Sequence, residues 1–379
     1  MKVLVLGSGL VGRPMAIDLA KEVSFKVTVA DYSKNNLDKI PKDLQITKKE
    51  IDLSNPEQLK ALLKNHDIVL NAVPGFMGFN TLKEIIKAGK NVVDIAFFAE
   101  NPFELDELAR QNNVTAVVDC GVAPGMSNLL TGYVDSILDK TESVLIYVGG
   151  LPVIREFPYE YKAGFSPTDV IEEYTRPARY IENGQMVIRP ALSEPELINF
   201  PEIGTLEAFN SDGLRTLAYT LNAPNMKEKT LRYPGHIDKM LLLRKSGFFS
   251  TEEIEMNGVK IRPIDFTSKL LFPLWELKEG DEEFTVMKMI VGGEKDKKKV
   301  RYTYDLFDRY DKTTNIHSMA RTTGYTATTV LCMISKGLFN ITGICPPEYI
   351  GQQPECVEFV LNRLKEKGIL YKQTIDHLE

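Results

Sequence analysis

The chain opens with KVLVLGSGLVG over residues 2–12, and this stretch decides the architecture. Residues 2–6 (KVLVL) are a short run of valine and leucine, the composition of a buried strand. Gly7, Gly9 and Gly12 then supply a G-x-G-x-x-G spacing, and RPMAIDLAKE over 13–22 places Met15, Ala16, Leu19 and Ala20 on one helical face. The glycine spacing alone is a weak signal, but here it lies between a strand and a helix. FKVTVA over 25–30 reads as a second strand that ends at Asp31, about 20 residues beyond the last glycine. The three glycines differ in what they allow. Gly7 permits a tight turn, Gly9 lets a pyrophosphate approach the backbone, and Gly12 lets the helix pack closely. The helix N-terminus offers free amides and partial positive charge to the phosphates. Gly7, Ser8, Gly9, Leu10, Val11 and Gly12 therefore form the expected phosphate loop. Asp31 is placed to accept from a ribose 2′-hydroxyl and to repel a 2′-phosphate, which predicts NAD as cofactor. Lys34 is near enough in sequence to soften that preference.

Working outward, IVLNA over 68–72, VVDI over 92–95 and VTAVV over 114–118 read as further buried strands. Helices are expected between them, over 55–65 (Asn55 as cap, Pro56 in the first turn), 81–88 and 103–111. This alternation predicts an α/β, Rossmann-type doubly wound parallel sheet. Asp52 and Leu53 end a third strand, where they either flank the adenine or are an ordinary strand end. Ala72, Val73 and Pro74 follow the fourth, where the nicotinamide half arrives at a switch point, although Pro74-Gly75 also reads as a plain turn.

The rhythm changes near Gly121. Residues 126–138 read as a helix leaving the sheet, and from Ser143 the chain is strand-rich and irregular, with prolines at 152, 158, 167, 177, 190 and 195. EIEMNGVKIRP predicts a hairpin turning at Asn257-Gly258. EKDKKK over 294–299 reads as a solvated loop tip. These features predict a second, α+β domain on an open mixed sheet. Helical spacing returns over 318–335 and 355–367, before a short polar tail.

Composition narrows the function classes. The 379 residues predict two or three domains, and 43 % hydrophobic with 26 % charged residues is ordinary for a globular protein. Lys and Arg number 46 against 52 Asp and Glu, a net charge of −6, which argues against nucleic acid as the main partner. Four cysteines without a C-x-x-C pair and four scattered histidines make neither a disulfide framework nor a zinc site. No apolar run approaches the roughly 18 residues of a membrane span, and the N-terminus runs straight into the glycine motif rather than a cleavage site. The expectation is a soluble, cytoplasmic protein acting on a small molecule.

The middle of the chain carries phrases more specific than the glycine loop. They are VVDIAFFAEN (92–101), DCGVAPGMSN (119–128), YVGGLPVIR (147–155), EYKAGFSP (160–167), SDGLRTL (211–217), EKTLRYPGH (228–236) and PPEYIG (346–351). In this order they resemble the saccharopine dehydrogenase superfamily, and within it the L-lysine 6-dehydrogenase branch. Ala123, Val148 and the Arg232-Tyr233-Pro234-Gly235-His236 form depart from the saccharopine reductase pattern. The resemblance implies NAD-dependent oxidation at the ε-carbon of lysine, with ammonia lost and the aldehyde closing to Δ1-piperideine-6-carboxylate. The other readings are a saccharopine reductase, a carboxyamine dehydrogenase and a non-catalytic NAD-binding sensor. Also implied is a homodimer, with an NAD-binding domain over 1–125 completed by C-terminal helices within 317–379. Residues 126–316 are then the substrate-binding and dimerisation domain.

Amine oxidation needs a carboxylate anchor, a neutral amine and a base that later activates water. Arg232 is the expected anchor, since a guanidinium fork matches a carboxylate and the resemblance places it in a shared phrase. His236 is a candidate base by its ordinary pKa, or else a structural hydrogen-bonding residue. Asp94 and Asp119 end predicted parallel strands, where each either receives a proton or holds an ammonium, or caps a following turn. Lys162 and Cys120 complete the substrate candidates, Cys120 reading equally as a small buried residue.

Overall fold

The computed structural model describes residues 1–278 and 280–378. The chain opens with β1 (Lys2–Leu6), β2 (Lys26–Asp31), β3 (Ile46–Glu50), β4 (Ile68–Asn71), β5 (Asn91–Asp94) and β6 (Thr115–Val117). It continues with β7 (Lys140–Pro152), β8 (Ala178–Glu182), β9 (Gln185–Arg189), β10 (Glu196–Phe200), β11 (Gly204–Asn210) and β12 (Asn225–Arg232). After the hairpin of β13 (Ile254–Met256) and β14 (Val259–Ile261) come β15 (Glu283–Lys295), β16 (Lys298–Arg309), β17 (Gly343–Cys345) and β18 (Tyr371–His377). Two compact units result: Met1–Leu138 with Met319–Tyr371, and Asp139–Ser318 with the residues from Lys372 onward.

The first unit is the expected doubly wound sheet, in the order β17-β6-β5-β4-β1-β2-β3, with its switch point between β1 and β4. Every pairing in it is parallel. The strands are buried on both faces, so they carry continuous apolar runs rather than alternation. One face buries Leu4, Leu6, Val69 and Val92 against Leu59, Leu82, Ile85 and Ala109. Asn55 caps the helix Pro56–Leu63 as expected, its side-chain oxygen accepting from the amides of Glu57 and Gln58 at 3.1 and 3.2 Å. On the helix Ser318–Ser335, Gly324 sits where a Cβ would stand 2.9 Å from Met15 Cγ, and Thr328 donates to Asp18 at 2.6 Å.

Two boundaries differ from the sequence reading. Helix Met126–Ile137 belongs to the first unit, not to the second domain expected from residue 126. The reason is a close helix crossing: a Cβ on Gly132 would lie 2.3 Å from the Glu348 carbonyl oxygen, and one on Gly351 2.0 Å from that of Leu129. The polar tail, expected to stay with the C-terminal helices, is instead strand β18 of the second unit's sheet.

The second unit is the expected open mixed sheet, ordered β10-β11-β12-β7-β15-β16-β18, with β8 and β9 attached through β12. β12 and β7 run parallel, whereas β7, β15 and β16 pair antiparallel. The EKDKKK stretch is the tip of the β15–β16 hairpin, turning through Asp296 and Lys297 at positive φ. Helices Pro167–Thr175, His236–Lys245 and Pro263–Trp275 enclose a core of Trp275, Tyr174, Phe209 and Leu271.

Candidate active site

In the first unit the glycine loop has the geometry that its spacing implies. Gly7 has φ +95°, and a Cβ there would stand 2.6 Å from the Ala72 carbonyl oxygen. A Cβ on Gly12 would stand 2.2 Å from the Gly7 carbonyl oxygen. Gly9 differs: within 4 Å of its Cβ position there is nothing. The loop is thus tight against its own backbone at two glycines and open at the third. The helix Gly12–Leu19 starts at Val11 without a side-chain cap, which suits a helix start that receives phosphate oxygens.

Asp31 is buried at the end of β2, its two oxygens accepting from the backbone amides of Ser8 and Ser33 at 2.6 and 2.7 Å. The carboxylate is thereby clamped to the phosphate loop, with lone pairs remaining for ribose hydroxyls. Ala72 closes the far side through its amide on the Leu6 carbonyl at 2.9 Å, and Pro74 begins the helix Gly75–Lys87. Among the described residues, the buried Asn71 Oδ1 at the end of β4 has no hydrogen-bond partner. The open Gly9 cradle, the uncapped helix start and the clamped Asp31 fit a dinucleotide.

Of the other expected cofactor contacts, Val73 and Leu53 turn their side chains into the hydrophobic core. Asp52 lies two residues beyond β3 and is exposed. It caps its own turn, accepting from Ser54 Oγ at 2.6 Å and from the Ser54 amide at 2.9 Å, and the Ser54 hydroxyl holds its pKa below the ordinary value.

Asp94 ends β5, as expected, whereas Asp119 lies two residues past the end of β6. Asp94 is fully buried and accepts from Asn71 Nδ2 at 2.7 Å and from the Ala96 amide at 2.6 Å. The turn-capping alternative is therefore realised at Asp94, and Asn71 is a partner that sequence reasoning passed over. Asp119 is buried at φ +51°, followed by Cys120, whose amide bonds the Asp94 carbonyl at 2.9 Å. Cys120 has no exposed surface, and burial pushes its thiol well above the ordinary range. Its burial fits the alternative of a small packed residue.

In the second unit, Arg232 and His236 are brought together, but in a closed network. Arg232 ends β12 and is 2 % exposed. Its Nη2 pairs with Glu173, Nη1 donates to the Leu231 carbonyl at 2.9 Å, and Nε donates to the Tyr174 hydroxyl at 3.1 Å. The guanidinium also lies 4.4 Å from the Tyr161 ring centre. His236 Nδ1 donates to the Tyr159 carbonyl at 2.8 Å, so Nε2 is the acceptor facing the Tyr174 hydroxyl at 3.0 Å. Burial, and then the charge of Arg232, push the imidazole down to about 3. A neutral ring with both nitrogens engaged fits the structural hydrogen-bonding alternative for His236. Arg232, the expected anchor, has Glu173 as its carboxylate partner here, through Nη2 alone.

Lys162, its own side chain 11 % exposed, pairs at 3.2 Å with Glu156, which is 64 % exposed. Sequence reasoning missed two acids here, the buried Glu228 and the half-buried Glu173. Ser211 Oγ donates to Glu228 at 2.7 Å, and burial raises the Glu228 carboxyl to about 8. One signal was readable: an arginine closing a buried TLR strand requires a carboxylate from elsewhere in the fold.

Comparison with known proteins agrees with this arrangement. The saccharopine dehydrogenase NADP binding domain profile matches residues 3–117, and the saccharopine dehydrogenase C-terminal domain profile matches residues 121–369. Saccharopine dehydrogenase [NADP(+), L-glutamate-forming] of Pyricularia oryzae is 28 % identical over 265 residues, covering 66 % of this chain and 58 % of that protein. The mitochondrial alpha-aminoadipic semialdehyde synthase of Bos taurus is 28 % identical over 196 residues, 49 % of this chain and 21 % of the relative. The chain thus spans less than two thirds of either relative. Carboxyaminopropylagmatine dehydrogenase of Synechocystis is 22 % identical over 99 % of this chain and 98 % of its own. The apo saccharopine dehydrogenase (L-Glu forming) structure from Saccharomyces cerevisiae shares the fold, with a TM-score of 0.78 at 20 % identity over 99 % of both chains. By both of its halves, the chain belongs to the saccharopine dehydrogenase family.

Proposed function

We propose that the protein is a dehydrogenase that uses NAD to oxidise the ε-carbon of L-lysine and release ammonia. The observation that carries the cofactor assignment is Asp31, a buried carboxylate clamped to the Ser8 and Ser33 amides at the end of β2. A second negative group, the 2′-phosphate of NADP, is repelled from that position, although the family profile takes its name from NADP. The Gly121–Asn128 and Arg232–His236 phrases support lysine through the branch they resemble.

When bound, the dinucleotide accepts the hydride. Gly9 leaves room for its pyrophosphate, the start of helix Gly12–Leu19 supplies the amides, and Asp31 orients the ribose. Lysine reacts as its neutral amine: a hydride leaves the ε-carbon as the nitrogen lone pair forms a C=N bond. Water then adds to that carbon and ammonia departs, leaving an aldehyde that condenses with the substrate's own α-amine. Asp119, buried two residues past the end of β6, is assigned the proton transfers. Its left-handed backbone is a strained conformation of the kind found at active sites.

A second reading, oxidation of a secondary amine joining two carbon chains, is favoured by the end-to-end match to carboxyaminopropylagmatine dehydrogenase. The test is the initial rate at 340 nm with L-lysine, with NAD and NADP in turn, and with saccharopine as second substrate. NADH formation with ammonia from lysine is expected, and Asp31→Ser should shift the preference toward NADP. Turnover of saccharopine alone selects the second reading. No turnover of either, with dinucleotide binding intact, overturns both.

A further inference from the structure

Glu348 is an acid with no exposed surface. It lies in the short helix Pro347–Gly351, beyond β17, and that helix crosses Met126–Ile137 at contact distance. The crossing itself asks nothing of a carboxyl group. It is made by glycine and backbone: a Cβ on Gly132 would meet the carbonyl oxygen, Cα and carbonyl carbon of Glu348 at 2.3, 2.7 and 2.8 Å. A leucine at 348 would serve that contact equally, and burying a carboxyl group is costly unless it is hydrogen-bonded. What the side chain ends on explains its presence.

Its Oε2 accepts from Asn128 Nδ2 at 3.4 Å, across 220 residues of sequence. An asparagine amide has a donor end and an acceptor end of nearly the same shape. A carboxyl oxygen beside one end selects the donor for it, so Oδ1 is turned the other way. There it accepts from the Ser127 hydroxyl at 3.0 Å and from the Gly125 amide at 3.3 Å. Asn128 and Ser127 are buried as well, so no solvent replaces a bond that the amide loses by flipping.

Gly125 passes the constraint to the segment that follows β6. At φ +139° it lies so near Gly121 that a Cβ on it would meet the Gly121 carbonyl oxygen at 1.9 Å. The Gly121 amide donates to the Pro124 carbonyl at 3.0 Å, and the Met126 amide to the Gly121 carbonyl at 2.9 Å. Asp119 is two residues upstream of Gly121, at φ +51°. A residue with a side chain keeps that conformation only where its surroundings over-determine it.

We propose that Glu348 is a positioning residue for Asp119, acting through the Asn128 amide and the turn from Gly121 to Gly125. It sets the direction in which Asp119 presents its carboxyl group and takes no part in the chemistry itself. The inference rests on the proton transfers assigned to Asp119 above. It also gives the phrase over 346–351, which neither cofactor nor substrate accounts for, a function at a distance.

The test compares the wild type with Glu348→Leu, Glu348→Gln and Asn128→Ala. Two quantities are read: hydrogen exchange over residues 119–126 of the ligand-free chain, and the pH dependence of kcat on the amine that the enzyme turns over. Glu348→Leu should lose exchange protection in that segment while β1, β4 and β5 keep theirs. Its kcat should fall about 10- to 100-fold, with KM and dinucleotide affinity changed no more than about threefold, and the acid limb of the kcat profile should move. Glu348→Gln, whose amide oxygen still accepts from Asn128, should return kcat to within about threefold of the wild type. Asn128→Ala cuts the same linkage by a smaller change and should match Glu348→Leu, so a leucine variant that does not fold still leaves the proposal open to refutation. A lowered melting temperature with kcat and its acid limb unchanged makes Glu348 part of the packing alone and overturns the proposal, as does a glutamine variant as slow as the leucine one. Asp119→Asn, run alongside, separates the two readings. If it keeps the wild-type rate and profile, the assignment to Asp119 fails and this one with it. If it is inactive while Glu348→Leu and Asn128→Ala are unaffected, the positioning role alone falls.

Discussion

Removing Glu173 tests whether Arg232 is a piece of scaffold or a substrate anchor. Arg232 is buried, and its Nη2 pairs with Glu173, whose side chain is 18 % exposed. Glu173→Gln leaves the guanidinium in a site of low dielectric with Tyr161 and Tyr174 as neighbours but no carboxylate. Breaking a buried pair from one side costs about 3–5 kcal/mol. For a folding unit of roughly 150–250 residues each kcal/mol moves the midpoint by about 2–4 °C, so the expected fall is about 6–20 °C. Arg232→Met should cost a similar amount, because it leaves Glu173 as the unpaired charge. The double variant Arg232→Met/Glu173→Leu removes both charges, and its loss should be clearly smaller than that of the two singles added together. Calorimetric unfolding of the four proteins closes this cycle, with KM for the amino acid measured alongside. Singles that keep their melting temperature within a degree or two but raise KM steeply would refute the scaffold assignment and restore Arg232 as the anchor.

Three further expectations follow from the same geometry. Gly9→Ala places a methyl in open space, so the fold should stay intact or gain about 0.4–1 kcal/mol, while dinucleotide affinity falls at least about tenfold; Gly12→Ala should instead destabilise the unit itself, its Cβ meeting the Gly7 carbonyl at 2.2 Å. Fluorescence titration beside thermal melting separates the two outcomes, and unchanged affinity in Gly9→Ala would remove the cradle. Glu228, raised by burial from 4.5 to about 8, contributes most below pH 4.5 and progressively less as pH rises to 8. Glu228→Gln should therefore gain stability over the wild type across that window, and a pH-independent difference in melting temperature contradicts the buried neutral acid. His236, lowered to about 3, contributes fully above pH 6.5 and loses about 1.4 kcal/mol per pH unit as pH falls from 6.5 toward 3. His236→Gln should flatten the acid limb of the stability curve, and an unaltered limb counts against its buried neutral state.

The parts of the fold visible in the sequence are those built from near neighbours. The β1–loop–helix unit lies within residues 2–19, so its strand run, glycines and apolar helix face all fall in one short window. Asn55-Pro56 and Asn257-Gly258 are likewise local signals, and both stand where they were expected. β17 escaped because three residues, Gly343–Cys345, are too few to show a period. β18 escaped because its mostly exposed, polar residues resemble a tail. Helix His236–Lys245 has no single apolar face, and the helix ending at Trp275 has two, so periodicity marked neither. The candidate site divides in the same way. The Asp31 clamp joins residues 23 apart inside one βαβ unit, whereas Glu173 and Arg232 are 59 apart and meet only through the packing of a helix on a sheet. Position in a family-like phrase marked Arg232, but its pairing with Glu173 is visible only in the folded chain.

The edge strand β17 also constrains how the chain reaches its folded form during synthesis. β6, with Ala116 and Val117 fully buried in the finished sheet, pairs on its outer side with Gly343–Cys345. About 230 residues of translation separate the two, on the order of 10–50 s at 5–20 residues per second. Throughout that interval the nascent first unit carries an apolar strand edge with no partner, while the intervening strands β7–β16 are still emerging. An unpaired apolar edge recruits other strands, so this is the surface a chaperone must shield, and the point at which two ribosome-bound chains are most prone to join wrongly.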